Sequence, residues 1–127
     1  MGSAIVEGLE LLNARKTIYR ANGVSFFRPW IFLITDGGPT DSWTKAASMI
    51  REGEEKKSFS FFAVGVQSAK MDILKQISAR DPLKLKGLQF QSLFQWLSNS
   101  MKTVSHSALG TDVPLQNPAT PNGWATV

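Results

Sequence analysis

Oxygen-bearing side chains and glycines are concentrated in one short segment, Asp36-Gly37-Gly38-Pro39-Thr40-Asp41. Carboxylate and hydroxyl oxygens are the ligands that a hard cation such as Mg²⁺ prefers, and glycines let the backbone approach closely. Asp36 is therefore the candidate metal ligand. The rim of the candidate site consists of Gly37, Gly38, Thr40 and Asp41. Because Asp-Gly segments commonly end strands, the alternative is that Asp36 and Asp41 are only turn and helix-capping residues.

Residue types exclude several other kinds of site. The sequence contains no cysteine, which excludes disulfides and thiol catalysis. Its single histidine, His106, has no Asp or Glu cluster around it, and neither a Walker loop nor a G-x-G-x-x-G segment occurs. A metal or catalytic role for His106 is therefore not expected.

Apolar runs indicate the strands that must position the Asp36 segment. Trp30–Thr35 is apolar without alternation, which is typical of a strand buried on both faces of a parallel sheet, and it stops directly before Asp36. A second such run covers Phe59–Val66. The segment Leu83–Lys86 alternates and is rich in lysine, which predicts an edge strand.

Helical spacing of apolar residues alternates with these runs. It predicts helices over residues 4–20, after a cap at Asp41 or Ser42, over 71–77, and over 90–104. The predicted buried face of the last helix consists of Phe90, Leu93, Phe94, Leu97, Met101 and Val104. The order predicts an α/β fold, a Rossmann-like parallel sheet of about three strands flanked by helices. Residues 1–106 form the predicted domain, and 107–127 form a Pro-, Gly- and Asn-containing tail that Trp124 could pin to it.

Charge and hydropathy limit the partners and the location. The net charge is +4, but lysines and arginines are scattered and acidic residues lie beside Lys56-Lys57, so a nucleic-acid interface is not expected. The apolar runs are much shorter than the roughly 20 residues that cross a membrane, and residues 1–12 lack the pattern of a signal peptide. The expectation is a cytoplasmic protein without membrane contact.

Three segments resemble the von Willebrand factor A (VWA) family. Leu33–Asp41 is similar to the third metal-site motif of VWA domains, a strand ending in T-D-G-x-P-T-D. Met1–Ile5 resembles the start of the helix after the second motif, and Phe61–Val66 resembles the next strand. The resemblance covers residues 1 to about 104. It is closest to cytosolic bacterial VWA proteins of tellurium-resistance gene clusters, through Arg28–Gly37 and Pro82–Leu88.

This resemblance implies a protein-binding module rather than an enzyme, in a tellurium-resistance or stress-response system. Its complete form would bind Mg²⁺ or Mn²⁺ at a metal-ion-dependent adhesion site built from D-x-S-x-S, a threonine, and the aspartate at position 36. That aspartate typically acts through a coordinated water. The chain carries only the third motif, so weak or no metal binding is expected from Asp36 alone.

The resemblance also implies a partial fold that lacks the first strands. If the strands pair in sequence order, the apolar strand Trp30–Thr35 is an uncovered edge. The expected partners are a protein, a missing N-terminal half, or a second copy that forms a homodimer through this edge. An alternative function is a small metal-assisted phosphohydrolase that uses Asp36, with Asp41 and Lys70 as the nearby charged groups.

Overall fold

Helices and strands alternate along the chain in the computed structural model, which describes residues 1–87, 89–107 and 125–126. The order predicted from the sequence is confirmed through residue 105. The elements are α1 (Gly2–Ala21), β1 (Trp30–Thr35), α2 (Thr44–Glu55), β2 (Ser60–Gly65), α3 (Met71–Ile77), β3 (Leu83–Leu85), α4 (Phe90–Ser105) and β4 (Ala125–Thr126).

The sheet has the strand order β1-β2-β3-β4. β1 and β2 are parallel and in register from Trp30 opposite Ser60 to Thr35 opposite Gly65. β3 is parallel to β2, and β4 is antiparallel to β3. The predicted α/β class, with a parallel sheet of about three strands flanked by helices, is therefore confirmed.

The two edges of the sheet differ. Among the described residues β1 pairs only with β2, so its outer edge is unpaired, as predicted for strands that follow sequence order. The prediction that Leu83–Lys86 is the opposite edge is wrong, because Lys84 and Leu85 pair with Thr126 and Ala125. That pairing joins segments far apart in the chain, and local alternation cannot report it. Most of the predicted tail, including Trp124, lies outside the described residues.

Helices cover both faces of the sheet, and the alternation of β2 divides the core between them. Phe61 and Ala63 pack with α1, α2 and α3 on one face. Phe62 and Val64 pack with α4 on the other face. Because every residue of β2 is buried, this strand is the centre of both cores.

Helix α4 packs through only part of the face that its apolar pattern predicts. Phe90, Leu93 and Leu97 pack in the core on this side of the sheet, as predicted. Its buried residues are Leu93, Trp96 and Ser100, whereas Phe94 and Met101 are 53% and 56% exposed. Apolar residues cover so much of this helix that spacing alone does not select a face. Contacts with the sheet determine which face of α4 is buried, because the Trp96 ring packs against aromatic rings of β1 and β2.

A carboxylate orders the amino-terminal ends of β1 and β2. Glu54 accepts hydrogen bonds from Arg28 Nη2 at 3.1 Å, from Arg80 Nε at 2.9 Å and from the Phe61 amide at 2.6 Å. β3 pairs with β2 only at Val64 and Gly65, so Glu54 supplies the acceptor that β3 does not offer to Phe61.

No helix within the described ranges has the combination of length and hydropathy that crossing a membrane requires.

Candidate functional site at the end of the first strand

The candidate site lies in the loop of residues 36–43, between the carboxyl end of β1 and α2. The segment that follows β2 holds this loop in place. Ser68 Oγ donates to the Asp36 carbonyl at 3.0 Å, and the Lys70 amide donates to the Gly37 carbonyl at 3.1 Å. Because carboxyl ends of parallel strands lie at the same side of a sheet, the loops after β1 and β2 meet where ligands commonly bind in this fold class.

The Asp36 side chain is exposed and has no hydrogen-bond or ion-pair partner among the described residues. Its backbone is fixed by Ser68, whereas its carboxylate is free to accept a ligand. A single carboxylate on the surface is a weak cation site, since affinity depends on the number and preorganisation of the oxygen ligands.

The rim residues have separate structural roles. The Gly37 amide donates to Thr35 Oγ1 at 3.3 Å, which turns the chain at the strand end. At Gly38, a Cβ atom would lie 2.8 Å from Lys70 Cγ, so the absence of a side chain lets Lys70 lie against the loop. Thr40 is exposed. None of these contacts directs a side-chain oxygen of the rim toward Asp36.

Asp41 caps α1 rather than α2. Its carboxylate accepts hydrogen bonds from the Gly2 amide at 2.9 Å and the Ser3 amide at 2.8 Å, and it pairs with the terminal ammonium of Met1 at 3.1 Å. These donors, the Ser3 amide first, hold the pKa of Asp41 well below its usual range. The first amides of a helix lack internal acceptors, and the carboxylate of Asp41 satisfies them from a distant segment.

The prediction that Asp41 or Ser42 caps α2 is therefore wrong. α2 begins at Thr44 after Trp43, without a side-chain capping hydrogen bond. Asp41 lies directly before α2 in the sequence, which is why a cap on α2 was predicted. In the fold, Asp41 also lies within hydrogen-bonding distance of the start of α1, whose first turn contains no acidic residue. Asp41 satisfies α1, the helix whose first amides have no local acceptor.

Gly2 is a site residue that the sequence analysis did not identify. A Cβ atom at this position would lie 2.2 Å from the Ser42 carbonyl oxygen and 3.0 Å from the Trp43 Cα. Since both neighbours are backbone atoms, only glycine permits this approach of α1 to the loop. A glycine in the first turn of a helix that lacks a local cap was the available signal.

The arrangement does not form a metal site by itself. No group of three or more His, Cys, Asp or Glu side chains that could hold an ion occurs in the described part of the chain. Asp41 is engaged by the amides of α1, so it does not act together with Asp36. His106 is exposed at the end of α4. Among the described residues, the loop thus presents one carboxylate without a partner rather than a group of oxygen ligands.

The charged groups required by the alternative phosphohydrolase are only partly brought together. Lys70 lies beside the loop through its contact with Gly37. Asp41, the candidate second carboxylate, is committed to the start of α1. No contact among the described residues favours this activity.

Comparison of the chain with models of known protein families, with curated proteins and with solved structures gave no match. The function is therefore inferred from the fold, the loop and the exposed surfaces.

Proposed function

We propose that this chain is a protein-binding module of the VWA type, with a binding surface formed by the outer edge of β1 and the adjoining Asp36 loop. The module is not an enzyme. Its partner is a protein segment that pairs with or packs beside β1.

The observation that carries this proposal is the unequal burial of two neighbouring strands. Every residue of β2 is buried, whereas no residue of β1 is, and Ile34 is 43% exposed. β1 is as apolar as β2, and its outer edge has no strand partner among the described residues. Unpaired backbone groups on an apolar strand recruit another chain, so proteins that keep such an edge commonly use it for binding.

The position of α1 supports the assignment to the VWA type. The start of α1, which resembles the helix after the second metal-site motif, contacts the loop that resembles the third motif through Asp41 and Gly2. A further parallel strand on the outer edge of β1 would end beside Asp36, because parallel strands end on the same side. A D-x-S-x-S segment at the end of such a strand would supply the oxygen ligands that Asp36 lacks.

The affinity for a metal ion depends on the number of oxygen ligands. In a complete domain we propose that Mg²⁺ or Mn²⁺ is held by the added segments, with Asp36 contributing through a coordinated water. For this chain by itself we expect weak or no binding, since the described residues place one free carboxylate at the site.

Isothermal titration of the chain with Mg²⁺ and Mn²⁺ tests this account. We expect no saturable heat at micromolar protein, and Asp36→Ala should leave the trace unchanged. After addition of a strand carrying D-x-S-x-S, by extension of the reading frame upstream or by fusion, we expect binding that Asp36→Ala weakens about tenfold or more. Tight metal binding by the chain alone would contradict the proposal. So would an extended protein whose metal affinity is unchanged by Asp36→Ala.

The cellular setting that we propose with it is a cytoplasmic bacterial tellurium-resistance or stress-response system. It rests on the resemblance of Arg28–Gly37 and Pro82–Leu88 to proteins of those clusters, not on a contact in the fold.

A further inference from the structure

We propose that two copies of the chain pair through β1 in antiparallel orientation, about a two-fold axis that passes between the two Phe32 residues. This inference rests on the proposed role of the β1 edge as the binding surface. A second copy occupies this edge when no further parallel strand is added to β1, because the two would compete for the same backbone groups. The inference specifies this occupant, its register and the charged groups at its ends.

Hydrogen bonds to β2 show which backbone groups of β1 face outward. The Pro29 and Thr35 carbonyls accept from the amides of Ser60 and Val66. Since backbone groups alternate along a strand, the odd-numbered residues of β1 are directed to β2, and Trp30, Phe32 and Ile34 direct their N–H and C=O groups to the free edge. Proline has no N–H, but Pro29 faces β2, so it does not interrupt the outer edge.

The two faces of the sheet restrict the register. Trp30 and Phe32 pack in the core on the α4 face, and alternation puts Ile34 on the same face. A two-fold axis normal to the sheet keeps each face on its own side, so even-numbered residues must oppose even-numbered residues. With Phe32 opposite Phe32, Trp30 opposes the partner's Ile34, and each opposed pair of even-numbered residues exchanges both backbone hydrogen bonds.

An apolar groove adjoins the edge on the same face. It has a volume of about 360 Å³. Its apolar lining includes Trp30 and Phe32 of β1 and Leu97, Met101 and Val104 of α4. In the proposed register the partner's Ile34 lies opposite Trp30, at the mouth of this groove. Each copy thereby covers the exposed apolar groups of the other, which is the main favourable term of association.

Charge distinguishes the two ends of the edge. At the amino end, Glu54 is shared between Arg28 and Arg80. Burial, together with the neighbouring Arg20 and Arg28, lowers the pKa of Lys16. Cations therefore outnumber carboxylates there. At the carboxyl end, Asp36 has no ion-pair partner among the described residues.

The register that places Phe32 opposite Phe32 also places Arg28 opposite the partner's Asp36. The Arg28 side chain is 28% exposed, so part of its guanidinium group is accessible. Registers shifted by one pair in either direction satisfy the same faces, but they centre on Ile31 or Leu33 and separate Arg28 from Asp36. A parallel partner would bring like charges together. Charge complementarity therefore selects one antiparallel arrangement.

The molar mass of the full-length chain, measured by light scattering at micromolar concentration without added metal, tests the association. We expect a dimer. Ile34→Lys should raise the dimer dissociation constant about tenfold or more, because it places a charge in the partner's groove. Leu11→Lys is the matched control, since Leu11 is 71% exposed on α1 and lies outside β1 and the groove. It should remain dimeric.

Single cysteines test the register, since the sequence contains none. Opposed residues of a hydrogen-bonded pair have Cα atoms about 5.5 Å apart, within the roughly 4.4–6.8 Å that a disulfide spans. Phe32→Cys should therefore form an intermolecular disulfide on mild oxidation. Ile31→Cys and Leu33→Cys, each self-opposed only in a shifted register, should cross-link much more slowly.

A monomeric mass, or a dimer that Ile34→Lys leaves intact, would overturn the proposal. Faster cross-linking at position 31 or 33 would overturn the register and the Arg28–Asp36 pairing. These readouts are taken without metal, so their failure is distinguishable from a failure of the Mg²⁺ titration.

Discussion

Asp36 and Asp41 show how neighbouring residues of one type acquire different roles. Both lie in the loop after β1, and the sequence makes both candidates for the same site. Asp41 accepts hydrogen bonds from the amides of Gly2 and Ser3, so it ties α1 to the loop. The carboxylate of Asp36 has no partner in the described part of the chain. Because Asp41 accepts the first amides of α1, that structural role does not fall to Asp36, whose carboxylate is available for a ligand.

Replacing Asp41 should destabilise the fold in a pH-dependent manner. The folded pKa of Asp41 is lowered, so its stabilisation is present above the unfolded value of about 3.9 and is lost as the pH falls below it. We expect Asp41→Asn to lower Tm at pH 7 by a few degrees and to show a smaller further loss on acidification. Thermal denaturation followed by circular dichroism at pH 7 and pH 3 measures both effects.

Asp81→Asn is the control for that experiment, because Asp81 is exposed and without a hydrogen bond or ion pair among the described residues. Equal losses in the two variants would mean that the cap on α1 does not stabilise the fold.

At the scale of elements, α4 is oriented by the sheet rather than by its own sequence. Trp96 lies in an aromatic cluster, with ring centroids 5.9 Å from Phe62 and 6.3 Å from both Trp30 and Phe32. The Trp96 ring meets Phe62 and Phe32 edge to face and stacks on Trp30, and such ring pairs add to the stabilisation from burial alone. The helix therefore turns the indole toward the sheet and leaves Phe94 in solvent.

Two alanine substitutions in α4 distinguish the observed face from the predicted one. Trp96→Ala should lower the free energy of unfolding by about 3–5 kcal/mol, because it leaves a cavity between helix and sheet. Phe94→Ala removes a side chain that is 53% exposed and should cost less than about 1 kcal/mol. Urea denaturation gives both values, and the reverse order would show that α4 packs through Phe94.

At the scale of the whole molecule, the described residues cover one edge of the sheet and leave the other uncovered. β4 pairs with β3 and covers the outer edge of that strand, whereas β1 offers its outer backbone groups and an adjoining groove. The proposed association through β1 would therefore add to the stability of the fold, since a bound partner stabilises the folded state by mass action.

Thermal stability should therefore depend on protein concentration. We expect Tm of the unmodified chain to rise by a few degrees over a hundredfold increase in concentration, because unfolding is coupled to dissociation. Differential scanning calorimetry measures the shift, and Ile34→Lys should abolish it. A concentration-independent Tm for the unmodified chain would argue against a dimer in this range.

The amino-acid sequence by itself determined where most elements lie and that the first three strands belong to a parallel sheet. The runs at Trp30–Thr35 and Ser60–Gly65 are apolar over whole strands, and a buried parallel strand requires that pattern. The same pattern placed Asp36 at a strand end and indicated an uncovered edge at β1. These features depend on residues that are adjacent in the sequence, so the local pattern of apolar residues predicts them.

Tertiary structure alone decided which groups meet across long separations. Asp41 reaches the start of α1, close to 40 residues away, and β4 covers β3 from the far end of the chain. The face of α4 was likewise set by the aromatic side chains of the sheet. Each of these contacts either pairs backbone groups or buries apolar surface between segments that are distant in the sequence. No local pattern therefore specifies it.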